Sequence, residues 1–201
     1  MRLDRDFFAE PAREVARRLI GARLVRRFDD GRFAVGRIVE TEAYVGPEDL
    51  ACHASRGRTA RTEVMFGPPG HAYVFLVYGM HHCLNAVTDP QGRPAAVLLR
   101  AIEPVMGIAA PTNGPGRLCR ALGIDLAFYG EDLCGERLFV EAGAPRAPVD
   151  ASARIGVDYA GAWARRRLRF SERRNPFVSG RRGAPRKRLS RPGASPTVAL
   201  R

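Results

Sequence analysis

A hairpin signal near the N-terminus limits the folds that this chain can adopt. Two β-rich runs, residues 22–28 and 32–45, flank the tripeptide Asp29-Asp30-Gly31. An Asp-Gly step between two such runs favours a tight turn, because these residues tolerate the positive φ angles that hairpin turns need. The two runs are therefore predicted to pair as antiparallel strands.

Further apolar runs extend this hairpin into a sheet. Four of them have the composition of strands: residues 71–78, 95–102, 138–141 and 168–170. Helical spacing is limited to residues 12–20, which follow Pro11 and stop at Gly21, and to a short segment that contains Leu118 and Leu122. Strands thus outnumber helices, and regular crossover helices are lacking.

This pattern predicts an α+β fold, with a curved, mainly antiparallel β-sheet and flanking helices. The length of 201 residues suits a single domain, which we place at residues 1–179. From residue 180 to 201 glycine, proline, serine and arginine prevail without apolar periodicity, so a basic, disordered tail is predicted there.

The second strand of the hairpin carries two acids on one face. With a period of two, its largely apolar face consists of Val39, Thr41, Ala43 and Val45. Glu40, Glu42 and Tyr44 share the other face. An ordinary solvated strand face would explain them, but a basic chain that binds polyanions is expected to keep carboxylates off its contact surface unless one takes part in chemistry.

The charge of the chain is concentrated near its C-terminus. The formal net charge is +12, and residues 164–191 hold 12 Arg and Lys against the single acid Glu172. Arginine dominates this block, as suits bidentate phosphate contacts. A merely solubilising tail is the alternative. We expect a polyanion-binding segment on a nearly neutral body, with nucleic acid as the partner.

The cysteines favour an intracellular protein. Cys52, Cys83, Cys119 and Cys134 include no C-x-x-C pair and lie at no zinc-finger spacing from histidines. The chain shows no secretory apolar segment and no run approaching 18 apolar residues. We therefore expect reduced, buried thiols, no structural metal, no membrane span and a cytoplasmic location.

Residues 46–70 form a long segment rich in glycine and proline, and loops of this length are usually functional. Around it lies an ordered series of short motifs. They are Glu-Thr-Glu-Ala-Tyr (40–44), Gly-Pro-Glu-Asp (46–49), His53, Tyr-Gly-Met (78–80), Asn85, Leu-Leu-Arg-Ala (98–101) before Glu103-Pro104, Asn-Gly-Pro-Gly-Arg-Leu-Cys (113–119), Ala-Arg-Ile-Gly-Val (153–157), Trp-Ala-Arg (163–165) and Asn-Pro-Phe-Val (175–178).

In this order the motifs resemble those of the alkyladenine (3-methyladenine) DNA glycosylase family. Each fragment alone is weak evidence for the family. The ordered set spans nearly the whole chain before the tail and is specific to the family. The resemblance implies a monofunctional base-excision repair enzyme that flips a damaged purine out of duplex DNA and hydrolyses its N-glycosyl bond. It also implies a monomer that acts without a metal or organic cofactor.

The resemblance assigns three catalytic positions. Glu42 is the general base that activates water for attack on the anomeric carbon, and a carboxylate there also stabilises the oxocarbenium-like charge on the sugar. Arg100 and the backbone carbonyl of Val178 help to hold that water. An arginine beside Glu42 would keep the carboxylate ionised against desolvation. Without the resemblance, Arg100 would be read as an ordinary cation at a strand end.

The resemblance also assigns the base pocket. Tyr44, His53 and Phe75 sandwich the flipped base, which suits electron-poor alkylated purines. Many family members carry tyrosine at the position of Phe75, so a hydroxyl is missing here. Asn85 crowds the purine 2-amino group and discriminates against normal guanine. Tyr78 is the wedge that fills the hole left in the base stack. Core aromatics and a turn asparagine are the ordinary alternatives.

One segment departs from the family pattern. Residues 107–112 (Gly-Ile-Ala-Ala-Pro-Thr) stand where members usually carry a longer, basic, partly helical segment. This shortening calls one contact to the DNA backbone into question, though not the active site, and the arginine-rich block after Ala164 is the hypothetical compensation. Trimming residues 180–201 should then lower the salt dependence of DNA binding.

Two other classes of protein compete with the glycosylase. A non-catalytic nucleic-acid-binding protein would explain the basic tail. A metal-dependent nuclease would need its clustered carboxylates, Glu40, Glu42, Glu48 and Asp49, to converge on one point. The sequence leaves the preferred lesion open among 3-methyladenine, 7-methylguanine, hypoxanthine and ethenoadenine.

Overall fold

Eight antiparallel strands form one curled sheet in the computed structural model, which describes residues 1–180. The strands are β1 (Arg23–Arg27), β2 (Phe33–Tyr44), β3 (Ala72–Val77), β4 (His81–Thr88), β5 (Ala95–Met106), β6 (Leu138–Glu141), β7 (Val149–Ser152) and β8 (Arg169–Glu172). Their order is β3-β4-β5-β2-β1-β6. β8 pairs with the second half of β2, and β7 pairs with β8. The predicted α+β class and the mainly antiparallel sheet are confirmed.

The N-terminal hairpin is confirmed. β1 and β2 pair from Arg23 opposite Arg37 to Arg27 opposite Phe33. The Phe28 N–H donates to the Arg32 carbonyl at 2.8 Å, and Gly31 takes the positive φ that the turn requires.

The period-two interpretation of β2 is wrong at Val39. The register of β2 against β5 shifts between Ile38 and Thr41, which places a β-bulge in the middle of the strand. Ile38 and Ala43 belong to the main core, and the Thr41 hydroxyl donates to the Ala16 carbonyl at 2.7 Å. Val39 instead packs in a small separate cluster. The bulge therefore turns Val39 away from the face that it was expected to share.

The alternative of a solvated strand face is also wrong. The Glu40 and Glu42 side chains are 0 % exposed. Because an isolated buried carboxylate is costly, each needs cationic or hydrogen-bonding partners nearby.

The prediction missed two strands, β4 and β7, and made a third, β5, too short. β4 lacks a continuous apolar run because it begins with His81 and His82, and it was not predicted. β5 was expected to end at residue 102 but continues through Glu103 and Pro104 to Met106, because it remains paired with the start of β2.

Within residues 1–180 three α-helices flank the sheet: α1 (Arg5–Ala9), α2 (Ala12–Arg18) and α3 (Pro115–Leu122). α1 was not predicted; the Asp4 carboxylate caps it by accepting from the Phe7 N–H. α2 begins after Pro11, which is its N-cap, and it ends at Arg18, two residues before the predicted end. α3 ends at Gly123, which has the left-handed conformation typical of such stops.

The strand alternation separates two faces of the sheet. One face packs against the helices, and its central residues include Val74, Leu84, Val97 and Leu99. The other face carries the residues between them, among them Tyr73, Asn85 and Ala96, and is covered by the segment between β2 and β3. That segment contains two short 3₁₀ helices, His53–Arg56 and Glu63–Phe66.

The four cysteines form no disulfide, and three of them are buried while Cys134 is partly exposed. Within residues 1–180 no helix is long and apolar enough to cross a membrane. The predicted tail, 180–201, lies outside the described residues except for Gly180.

A buried ion pair ties β2 to β8. Arg37 donates to both carboxylate oxygens of Glu172, at 2.7 and 2.6 Å. The Arg146 N–H and the Asn175 side chain donate to the same carboxylate. Burial opposes ionisation, but these hydrogen bonds prevail and lower the pKa of Glu172 to about 2.

The ion pair of Arg37 and Glu172 is expected to make the stability of the protein depend on pH in acid. The lowered pKa contributes about 3 kcal/mol of unfolding free energy, fully present above the unfolded-state pKa of about 4.3 and lost as pH falls towards 2. Glu172→Gln is expected to remove this contribution, so that its urea-unfolding free energy falls less steeply with acid than that of the unsubstituted protein. Glu136→Gln, at the exposed pair with Arg27, is the control and should follow the unsubstituted curve. Parallel curves for Glu172→Gln would contradict the prediction.

Candidate active site

A cavity of about 350 Å³ opens on the sheet face opposite the helices. Six of the residues predicted to form the site line it: Tyr44, His53, Phe75, Tyr78, Asn85 and Arg100. They come from β2, β3, β4, β5 and the segments that join them. The structure therefore brings together residues that are up to 56 positions apart in the sequence.

Glu42 lies beneath the cavity lining, behind Tyr44 and Arg100. Its Oε1 accepts a hydrogen bond from the Ile155 N–H at 2.8 Å. Its Oε2 accepts from the Tyr44 hydroxyl at 3.0 Å and lies 3.2 Å from Arg100 Nη1. Burial raises the pKa of Glu42, and Arg100, the Ile155 N–H and the Tyr44 hydroxyl oppose that rise. The site thus holds a fully buried carboxylate among donors that favour its ionised form.

Arg100 joins Glu42 to the second buried carboxylate. Its Nε donates to Glu40 Oε1 at 3.1 Å, and its Nη2 donates to the Ser179 hydroxyl at 3.1 Å. Ser179 closes the network, because its N–H and hydroxyl both donate to Glu40. Arg169 lies 3.3 Å from the same carboxylate. Arg100 is therefore a buried cation held from three sides, not an ordinary strand-end residue.

Val178 does not line the cavity. Its side chain is buried against Val39 and Ala101. The next N–H, that of Ser179, points at Glu40, and since the peptide bond is trans, the Val178 carbonyl points to the opposite side. Its contact with a water stays a prediction.

One wall of the cavity is aromatic. The rings of His53 and Phe75 meet edge to face with centroids 4.6 Å apart. His53 Nδ1 shares a hydrogen bond with the Tyr73 hydroxyl at 2.8 Å, which fixes the orientation of the imidazole. Burial, together with the charges of Arg61 and Arg56, lowers the pKa of His53 to about 4. This wall therefore presents a neutral imidazole at physiological pH.

The Asn85 amide is fixed beside this wall. Its Nδ2 donates to the Tyr73 carbonyl at 2.9 Å, and the side chain is buried on the cavity floor. A buried amide held in this way has little freedom to move aside for a larger group.

Tyr44 forms part of the facing side and depends on a buried ion pair. The Arg154 guanidinium lies over its ring, 4.7 Å from the centroid. Arg154 in turn makes a bidentate pair with Asp49, at 2.5 and 2.8 Å, and both side chains are 0 % exposed. Burial and the Glu42 charge raise the pKa of Tyr44 well above its usual value, so its hydroxyl remains a donor.

Tyr78 stands at the tip of the β3–β4 hairpin beside the cavity mouth. Its side chain is 88 % exposed, which is unusual for a large aromatic. Its φ of 51° lies in the left-handed region that non-glycine residues rarely adopt. The Met80 N–H closes the turn onto the Val77 carbonyl at 3.1 Å. The fold thus holds an aromatic ring outward at this position at some conformational cost.

The sequence matches a known protein family over most of its length. The family model described as methylpurine-DNA glycosylase (MPG) matches residues 6–176. The chain belongs to the methylpurine-DNA glycosylase family. The resemblance inferred from the motifs is confirmed, and with it a hydrolase that acts on N-glycosyl bonds in DNA.

Three relatives are similar over nearly their full length. A protein from Myxococcus xanthus (strain DK1622) is 54% identical over 181 residues, covering 88% of this chain and 93% of its own. One from Methanocella arvoryzae (strain DSM 22066 / NBRC 105507 / MRE50) is 51% identical over 193 residues, covering 89% and 96%. One from Legionella pneumophila (strain Corby) is 45% identical over 182 residues, covering 89% and 98%. All three are named "Putative 3-methyladenine DNA glycosylase".

Membership of the methylpurine-DNA glycosylase family argues against the alternative of a non-catalytic nucleic-acid-binding protein. The nuclease alternative also conflicts with the geometry. The four carboxylates that a nuclease would need do not converge. Glu48 forms an ion pair with Arg93 on the surface, and Asp49 forms one with Arg154 in the interior. Among residues 1–180 no three His, Cys, Asp or Glu side chains are placed to hold a metal ion.

Several supporting residues of this glycosylase were not singled out from the sequence. They are Glu40 as an ion-pair partner, Tyr73, Arg154, the backbone of Ile155, Arg169 and Ser179. Arg154 and Ile155 lie within the motif at residues 153–157, so the sequence did offer a signal for them. Tyr73 lay within an apolar run and gave none.

Proposed function

We propose that this glycosylase flips alkylated or deaminated purines out of double-stranded DNA and hydrolyses their N-glycosyl bond with a water activated by Glu42. Candidate bases are 3-methyladenine, 7-methylguanine, hypoxanthine and ethenoadenine. The observation that carries the proposal is a buried carboxylate, surrounded by donors, at the base of an aromatic cavity.

Glu42 acts in two ways in this mechanism. Its carboxylate removes a proton from water as the water oxygen bonds to the anomeric carbon, and its charge stabilises the oxocarbenium-like sugar. The bond to the purine breaks and its electron pair leaves with the base. Arg100 keeps Glu42 ionised and, with the Val178 carbonyl, orients the water.

The cavity supplies the selection of the base. Tyr44 stacks on one side of the extruded purine, and His53 and Phe75 stack on the other, which tolerates bases of varied shape. The fixed Asn85 amide crowds a 2-amino group and thereby rejects guanine. Tyr78 fills the gap left in the duplex. We further propose that the protein acts as a cytoplasmic monomer.

Product analysis tests this proposal. A duplex with a single hypoxanthine is incubated with excess protein and EDTA, beside an undamaged duplex and a methylated one. We expect abasic sites at the damaged positions and no direct strand breaks. Release of no base from either damaged duplex, or strand cleavage without an abasic intermediate, would overturn the proposal.

The pH dependence of hypoxanthine excision is expected to be bell-shaped. Because burial raises the pKa of Glu42, the rate should fall as pH drops through a value above the ordinary 4.3 or so of a glutamate. Neutral hypoxanthine also needs protonation to leave, so the rate should fall again at high pH. Cationic 7-methylguanine should show the low-pH limb alone. Single-turnover rates for both lesions over one pH series check this, and a monotonic hypoxanthine profile would contradict it.

A further inference from the structure

Arg61 carries a positive charge beside the aromatic wall. The proposed mechanism does not use this charge. It lies in the segment between the two 3₁₀ helices, with its guanidinium 4.9 Å from the centroid of the Phe75 ring. Phe75 lines the cavity and touches His53. A positive charge therefore stands against a ring on which the flipped base is expected to stack.

Most of the other charges around the cavity are compensated. Glu40 and Glu42 face Arg100 and Arg169, and the buried pair of Asp49 and Arg154 is neutral as a whole. Arg58, three residues from Arg61, is paired with Glu63 at 2.5 Å.

Arg61 is different from these arginines. Within the described part of the chain no carboxylate lies at ion-pair distance from its guanidinium, and the same holds for Arg56, which has no ring contact with the wall. The aromatic wall thus faces a net positive potential. The lowered pKa of His53 agrees with it, since Arg61 is its second-largest cause after burial.

We propose that Arg61 is a specificity-determining residue that biases the cavity towards neutral damaged purines and against cationic alkylated ones. The inference rests on the proposed function, because it concerns the base that enters this cavity. A purine alkylated at N3 or N7 in DNA carries a formal positive charge, whereas hypoxanthine and ethenoadenine are neutral. Because Phe75 lines the cavity and Arg61 does not, a cationic base stacked on that ring and the Arg61 guanidinium would lie on opposite sides of it and repel each other.

The size of the effect follows from the separation. A base stacked on Phe75 would lie about 8 Å from the Arg61 guanidinium, within about one Debye length at physiological salt. With the partial solvent screening expected at an exposed arginine, the repulsion corresponds to a discrimination of about fivefold. Arg61 therefore adjusts the order of preference and does not decide whether the enzyme works.

The test compares two lesions in one reaction. Duplexes with hypoxanthine and with 7-methylguanine are mixed, and the ratio of their kcat/KM values is measured for the unsubstituted protein and for Arg61→Gln. We expect the ratio to shift about fivefold in favour of 7-methylguanine. Arg61→Lys keeps the charge and should keep most of the original ratio.

Arg58→Gln is the matched control, since it removes an arginine of the same segment that is already paired. Its ratio should equal that of the unsubstituted protein. If Arg61 only contacted the DNA backbone, Arg61→Gln would lower kcat/KM for both lesions equally and reduce the salt dependence of DNA binding. That result would overturn the proposal. An unchanged ratio would overturn it too. Excision of neither lesion by the unsubstituted protein would instead refute the proposed function itself.

Discussion

Replacing Glu42 with glutamine is expected to lower single-turnover excision of hypoxanthine by about 10²- to 10⁴-fold, the usual contribution of a positioned general base. Glutamine has nearly the same shape as glutamate but can neither take a proton from water nor carry the charge that stabilises the sugar cation. Binding to damaged duplex should persist, because Glu42 lies beneath the cavity lining and makes no surface contact.

The same substitution should also lower stability. All the groups around the Glu42 carboxylate are donors: the Ile155 N–H, the Tyr44 hydroxyl and Arg100. The glutamine NH₂ must therefore face at least one donor, at a cost of about 1–3 kcal/mol. Urea unfolding beside the kinetic measurement shows whether the variant is still folded at the assay temperature.

Glu40→Gln is the control that separates chemistry from structure. Glu40 is equally buried and shares Arg100, but its other partners are Ser179 and Arg169 rather than the cavity wall. We expect a comparable loss of stability and a much smaller loss of rate. If Glu42→Gln excised as fast as the unsubstituted protein while Glu40→Gln did not, the base would be Glu40.

Much of the fold could be predicted because it is encoded locally. The Asp-Gly turn specified the β1–β2 hairpin, and the apolar run at Leu138–Glu141 matches β6 at both ends. The helix N-terminus near Pro11 was found within one residue. Such signals depend on residues that are neighbours in the chain, so periodicity and turn chemistry are enough to find them.

The rest depends on contacts between distant segments. The bulge that displaces Val39 arises where β2 meets both β5 and β8, and nothing in the local pattern distinguishes it from a regular strand. The burial of Glu40 depends on Arg100, 60 residues later, and on Ser179, 139 residues later. Family motifs supplied the site residues, but the motifs do not say which residue pairs with which.

Asp49 shows what such a distant contact is worth. It came from the sequence as one of four clustered acids, and in the structure it neutralises Arg154, 105 residues later, in a fully buried bidentate pair. Asp49→Asn would leave the Arg154 charge buried without a counter-charge. We expect a loss of about 3–5 kcal/mol in unfolding free energy, measured by urea denaturation.

Further variants test this prediction. Glu63→Gln breaks an exposed pair with Arg58 and should leave the urea midpoint nearly unchanged. The double variant Asp49→Asn with Arg154→Met removes the stranded charge and should regain part of the loss. Together with the single variants Asp49→Asn and Arg154→Met, it gives the coupling energy between the two residues. A loss for Asp49→Asn no larger than that for Glu63→Gln would show that water or other groups already satisfy Arg154.

The pair should also act on the chemistry through Glu42. Arg154 precedes Ile155, whose N–H donates to the Glu42 carboxylate and favours its ionised form. Loosening Arg154 weakens that hydrogen bond, so the pKa of Glu42 should rise further. In Asp49→Asn the low-pH limb of hypoxanthine excision is therefore expected to move to higher pH, measured at a temperature where the variant is folded. A general loss of stability would lower the rate at every pH without moving the limb, so its position distinguishes a positioning role of the ion pair from a purely structural one.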